Sequence, residues 1–236
     1  VENEQNPESK ESVNPELESE EPIQGIPDRP TTKKPFHQRC RFTVTAVIII
    51  TVFYALTTFT SGFQKPARIA VELGAFYPPS VHYGQWWRYI TAGLLHGNPG
   101  HWFNNVAGLL IFGNMLEPVI GPLPMMGLYA LSAFGGLWLS SIFLPQGVTY
   151  GASTIDFGLI GAYFTLMLLL RLQSSKKLFL KELQGSVMFV LLFVVWNTME
   201  SATINVWGHL GGFFAGVLFM LGLWKLRDKS VVLPKG

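Results

Sequence analysis

The chain is nearly devoid of cysteine and poor in charge, and both shortages narrow what it can be. Cys40 is the only cysteine in 236 residues, so an internal disulfide is excluded and no thiolate cluster has metal-ligand spacing. Its juxtamembrane position reads as an incidental thiol rather than an acylation site. Charged residues make up 14% of the chain against 49% hydrophobic ones, and mean hydropathy is +0.31, too apolar for an ordinary soluble domain. The N-terminal stretch lacks the basic start, short apolar run and small-residue cleavage site of a secretory signal, so membrane targeting falls to the first apolar span. Metal and nucleotide motifs are missing too, and no cofactor is expected. A formal net charge of +2, carried by segregated clusters, gives no reason to expect a nucleic-acid partner.

What is present is the pattern of an integral membrane protein. From Val1 to about Pro35 the composition is Glu, Pro, Ser, Asn and Gln with few aromatics, too little apolar surface to offset the entropy of ordering. The expected organisation is a disordered tail over 1–40, an all-α bundle of six transmembrane helices over 41–228, and a short tail over 229–236. The first span is Val44 to Phe59. Asn98 as N-cap and Pro99 at the first helical position launch the second, which runs through His101 and Asn105 to about Leu116, where Glu117-Pro118 and Gly121-Pro122 are expected to end it. Met125 to Leu144, Ser153 to Leu170, the core Val187 to Trp196 and Val206 to Trp224 supply the other four.

Lysines and arginines order these spans. They cluster before the first (Lys33, Lys34, Arg39, Arg41), between the fourth and fifth (Arg171, Lys176, Lys177, Lys181) and after the sixth (Lys225, Arg227, Lys229), whereas the connections after spans two and three carry none. By the positive-inside rule both termini are expected in the cytoplasm, with a bacterial cell membrane as the expected setting. Spans two, four and six then enter from the outer face, so their N-terminal ends share one depth. His101 and Asn105, Ser153 and His209 head those three spans and fall in one layer. A serine hydroxyl needs a base to act as a nucleophile, and polar residues inside a membrane are costly enough that a cluster points to a site. Isolated polar residues have blander readings. His82 and His96 read as interfacial or packing histidines, and Asn104 and Asn114 as interhelical hydrogen-bonding groups. Gly208, Gly212 and Gly216 repeat every four residues in span six, as Thr154, Gly158 and Ala162 do in span four, which allows the two backbones to approach and brings His209 to Ser153.

These residues carry a family resemblance. Gly151-Ala152-Ser153, His101 with Asn105 four residues on, Trp87-Arg88 in a long first loop, and Gly208-His209 followed by Gly212 and Gly216 resemble the rhomboid intramembrane serine proteases over about Arg41 to Leu226. The resemblance implies Ser153 as nucleophile and His209 as general base in a dyad, with an oxyanion site from His101, Asn105 and the Ser153 backbone N–H. It implies that Phe157 stacks on His209 and that Trp87-Arg88 supports the fold beside the site. The implied partners are transmembrane protein substrates that enter laterally from the membrane lipids.

Two residues depart from the family pattern. Thr154 follows the serine where glycine is usual, and Asp156 stands where an apolar residue is usual. Thr154 is expected to face span six near Gly208. Asp156 is assigned to capping the first turn, with a third place beside His209 as the alternative. Two other functions stay open: a rhomboid-like pseudoprotease that binds membrane helices without cutting them, and a small transporter, which predicts polar residues spread through the bundle depth.

Overall fold

The computed structural model describes residues 35–171 and 205–231. Within them lie α1 (Phe36–Arg39), α2 (Arg41–Ser61), α3 (Ala67–Glu72), α4 (Pro78–His82), α5 (Arg88–Thr91), α6 (Pro99–Ile120), α7 (Pro122–Phe143), α8 (Ser153–Arg171) and α9 (Val206–Val231). Five of these, α2 and α6 to α9, are long and apolar enough to cross a membrane. The expected fifth span, at 187–196, lies outside the described residues, as do residues 1–34 and 232–236 of the expected tails. Pro35 to Cys40, counted above with the first tail, lead into α2 through the short helix α1.

The helix faces show why the bundle needs lipid around it. In α2 only Thr43, Ile50, Tyr54 and Thr57 are buried, a single stripe at helical spacing, while Ile48, Ile49, Val52, Leu56 and Phe59 are exposed. An apolar surface of that extent is a lipid-facing one. Two of its threonines keep their hydroxyls bonded within the helix: Thr57 Oγ1 donates to the Phe53 carbonyl at 2.9 Å and Thr45 Oγ1 to that of Arg41 at 2.8 Å.

Helix α6 begins as expected and ends later. Asn98 Oδ1 accepts from the His101 N–H at 2.8 Å, and Pro99 occupies the first helical position. The helix then continues through Glu117-Pro118 to Ile120. Proline there is tolerated because tertiary contacts hold the last turn: Leu116, Glu117 and Ile120 are buried, and the Glu117 carboxylate accepts the Phe42 and Thr43 N–H groups, each at 2.8 Å. Glu117 thus caps the first turn of α2 from another helix, satisfying donors that no side chain of α2 reaches. Gly121, at φ 88°, makes the reversal into α7, a conformation that disfavours any residue with a Cβ. Helix α7 starts three residues earlier than expected, since prolines fit a first helical turn.

Cys40, just ahead of α2, is fully buried, its thiol 3.8 Å from Asn114 Oδ1. Burial, reinforced by the nearby Glu117 charge, pushes the thiol up to about 11. It is therefore an inert structural side chain.

The segment between α2 and α6 is a platform of short helices pinned to the rest of the chain by backbone bonds. Phe76 and Thr149 pair as an isolated antiparallel bridge, with two N–H···O bonds of 2.9 Å. The Gly151 N–H donates to the Ala92 carbonyl at 2.9 Å. Through these contacts the platform holds the run that leads into α8.

Helix α8 is the most enclosed of the five. Against it α9 lies backbone to backbone: a Cβ at Gly212 would overlap the backbone of Thr154, and one at Gly216 the backbone of Gly158. The two small-residue stripes thus pair as the sequence predicts, and glycine is required because only hydrogen fits between the chains.

Candidate active site

Ser153 is the first residue of α8 and His209 lies in the first turn of α9. The close approach of Gly212 to Thr154 sets the distance between their helices, and His209 Nε2 comes to 3.1 Å from Ser153 Oγ. Both side chains are only partly buried, which leaves the hydroxyl accessible. One turn below the serine, the Phe157 ring stacks on His209 with centroids 4.1 Å apart and planes 6° from parallel. The stack limits the imidazole to rotation in its own plane.

His101 and Asn105 are brought to the same place by Gly151. This residue has φ 112°, and a Cβ on it would run into the Nε2 edge of the His101 ring and approach Asn105 Oδ1 to 3.3 Å. Glycine here permits both the left-handed backbone and the contact. The Gly97 N–H points at His101 Nδ1 across 3.4 Å. In the neutral ring an accepting Nδ1 places the proton on Nε2, the atom that faces Gly151. Asn105 is fully buried, with the His96 ring as its side-chain neighbour and no hydrogen bond of close geometry among the described residues. As the first residue of α8, Ser153 also has a backbone N–H with no intrahelical acceptor. All four candidate residues therefore converge at one end of the bundle.

His96 packs behind the site, in keeping with its reading as a packing residue. His96 is fully buried, its ring 5.2 Å from that of His101 in an edge-to-face pair and 6.4 Å from that of Tyr54. Burial, then the neighbouring His101, depress its pKa to about 3, so it backs the site as a neutral ring. His82 fits the blander reading, with Nδ1 2.9 Å from the Pro78 carbonyl. Arg88 is buried and donates to the carbonyls of Val71 at 2.8 Å and Ala75 at 2.6 Å and to Gln85 at 2.7 Å. It braces the platform, while Trp87 is exposed.

Of the two departures, Thr154 lies near its expected place and Asp156 does not. The Thr154 side chain is buried against α7, where a Cβ on Gly136 would come within 2.7 Å of Thr154 Cβ. The same Cβ would also meet the Gly208 carbonyl of α9, so the Thr154 side chain sits where α7 and α9 come together, near Gly208 as expected. The bulk added after the serine is thus absorbed by a glycine across the bundle. Asp156 caps nothing: both carboxylate oxygens are buried without a hydrogen-bond partner among the described residues. It makes no bond to His209 either. At the fourth helical position its own N–H already bonds to the Ala152 carbonyl at 3.0 Å, and its side chain points into the bundle instead of over the helix end.

Comparison with known proteins adds an independent line. A family model described as a Rhomboid domain matches residues 83–226. The chain is 34% identical over 209 residues to Rhomboid-like protease 1 of Toxoplasma gondii, covering 84% of this chain and 69% of that protein. It is 30% identical over 167 residues to Rhomboid-like protease 3 of the same organism, covering 70% and 63%. With RHOMBOID-like protein 7 of Arabidopsis thaliana it shares 32% identity over 145 residues, 60% of this chain and 44% of that protein. The chain thus spans less than two thirds of the last two relatives. All three come from eukaryotes, so they lend nothing to a bacterial setting.

Proposed function

The chain belongs to the rhomboid family of multi-pass membrane proteins, and from that premise we propose that it is a serine endopeptidase that hydrolyses peptide bonds in or near membrane-spanning segments. The observation that carries this reading is the 3.1 Å contact between Ser153 Oγ and His209 Nε2, two side chains from different helices aligned by a glycine seam. In the proposed reaction His209 Nε2 takes the hydroxyl proton as Ser153 Oγ attacks the peptide carbonyl. The His101 Nε2–H, an Asn105 amide N–H and the Ser153 backbone N–H receive the charge that develops on oxygen, each such donor being worth about 100- to 1000-fold in rate. The imidazolium then returns its proton to the leaving amine. Water, activated by the same ring, hydrolyses the acyl-enzyme and frees Ser153.

The substrates in this reading are transmembrane proteins that reach the site from the surrounding lipids, and both chain termini face the cytoplasm. A reporter active only outside the cell, fused after Gly236, should be silent. The chemical test is labelling of the purified protein with a fluorophosphonate probe. Labelling that disappears in Ser153→Ala and in His209→Ala supports the dyad. A wild-type protein that never labels, yet binds membrane helices, is the pseudoprotease instead.

A further inference from the structure

Asn205 immediately precedes α9, four residues before His209, and its side-chain amide makes three hydrogen bonds, toward three separate parts of the chain. Its Oδ1 accepts the Gly208 N–H at 2.8 Å. Its Nδ2 donates to Ser140 Oγ at 2.7 Å and to Thr149 Oγ1 at 2.8 Å. The amide orientation follows from these neighbours, since Oδ1 faces a donor and the Ser140 hydroxyl already gives its hydrogen to the Gly136 carbonyl at 2.9 Å. The backbone contributes as well: the His209 N–H bonds to the Asn205 carbonyl at 3.1 Å.

Each anchor is itself fixed. Ser140 is buried in α7. Thr149 is buried and paired through its backbone with Phe76, and it lies four residues before Ser153. One amide therefore couples the turn that carries His209 to the run that carries Ser153.

Such a coupling answers a physical need. A glycine seam fixes how close two helices lie but interlocks no side chains along it, so the rotation of α9 falls to contacts at its first turn, where Trp207 stacks on Phe143 with ring centroids 3.8 Å apart and Asn205 makes its three bonds. The Gly212 contact with α8 also begins a turn below the histidine, and a first helical turn is where a helix opens most readily. We propose that Asn205 is a positioning residue that sets the rotation of α9 and so holds His209 Nε2 in reach of Ser153 Oγ. Its catalytic consequence rests on the serine-protease reading given above.

The test uses the full chain in lipid nanodiscs and three variants. Asn205→Ala removes all three side-chain bonds. Ser140→Ala combined with Thr149→Val keeps the cap on Gly208 and removes both acceptors, and Thr149→Val alone removes one. Two quantities are read: the rate of fluorophosphonate labelling at Ser153, and the His209 ring 15N signal, assigned by its loss in His209→Gln. The expected result is a fall in labelling of roughly 10- to 100-fold in Asn205→Ala and in the double variant, the scale of a misplaced catalytic group. A displaced His209 signal should accompany it, with a smaller change of the same sign in Thr149→Val. Wild-type labelling and an unmoved signal in the double variant would reduce Asn205 to a helix cap. If the wild-type protein does not label at all, the protease reading fails, and the His209 signal alone decides the positioning role.

Discussion

Phe157 and His209 lie face to face, ring centroids 4.1 Å apart, although 51 positions separate them in the chain and they belong to different helices. The serine bond fixes one end of the imidazole, and the stack fixes its plane. Phe157→Leu keeps an apolar filler but removes the flat surface. Labelling by a fluorophosphonate probe should slow by about 10-fold, a fraction of the cost of a misplaced group, while the protein stays folded by circular dichroism. A rate equal to wild type would show that the plane of the ring is set elsewhere.

Thr154 rests in a hollow made by Gly136, beside the Gly208 carbonyl. Thr154→Gly should therefore leave the labelling rate within about threefold of wild type. It should lower stability by about 1–2 kcal/mol, from lost packing and the added backbone freedom of glycine in a helix. Thermal unfolding in detergent measures the second quantity. A large gain in labelling would instead mean that Thr154 obstructs the site.

Asp156 is buried with neither oxygen bonded among the described residues. A buried polar group without a partner is costly, and an apolar replacement of similar size removes that cost. Asp156→Leu should raise the thermal midpoint and leave the pH profile of cleavage unchanged. If Asp156 stabilised the imidazolium, the acidic limb in Asp156→Asn would move to lower pH.

His96 predicts how stability depends on pH. Its pKa is depressed to about 3 by burial and by His101, whereas in the unfolded chain it returns to about 6.5. Between these values the unfolded state binds a proton that the folded state does not, so stability rises with pH across the window and is lost as pH falls below about 6.5. The slope from this one group is at most about 1.4 kcal/mol per pH unit. His96→Asn should flatten the dependence of unfolding free energy on pH between about 4 and 6. An unchanged slope would assign the acid sensitivity to other groups.

Much of this protein is legible in one dimension because its governing constraints are local. A run of apolar residues long enough to cross lipid is readily helical, so the existence and approximate place of α2 and α6 to α9 follow from hydropathy and length, though not their ends. Asn98 and Pro99 mark the start of α6 through bonds and angles confined to one turn. Span parity leads one to expect Ser153, His209, His101 and Asn105 at one end of the bundle, and the four-residue spacing of small residues foretells the seam of Thr154 and Gly158 with Gly212 and Gly216.

Tertiary structure alone decided which neighbour each remaining side chain meets. A helical residue in a bundle can face any of several helices, and its direction depends on rotations and crossing angles set by contacts far along the chain. Thr154 met Gly136 of α7 as well as the expected surroundings of Gly208, and Asp156 turned into the core where a cap was expected. Glu117, read as a helix terminator, proved to be the cap of α2, and Asn205 tied α9 to two segments more than 50 residues away. Local pattern determines that a helix exists and where a polar residue sits along it. Only the packed bundle supplies the partner that such a residue requires once water is excluded.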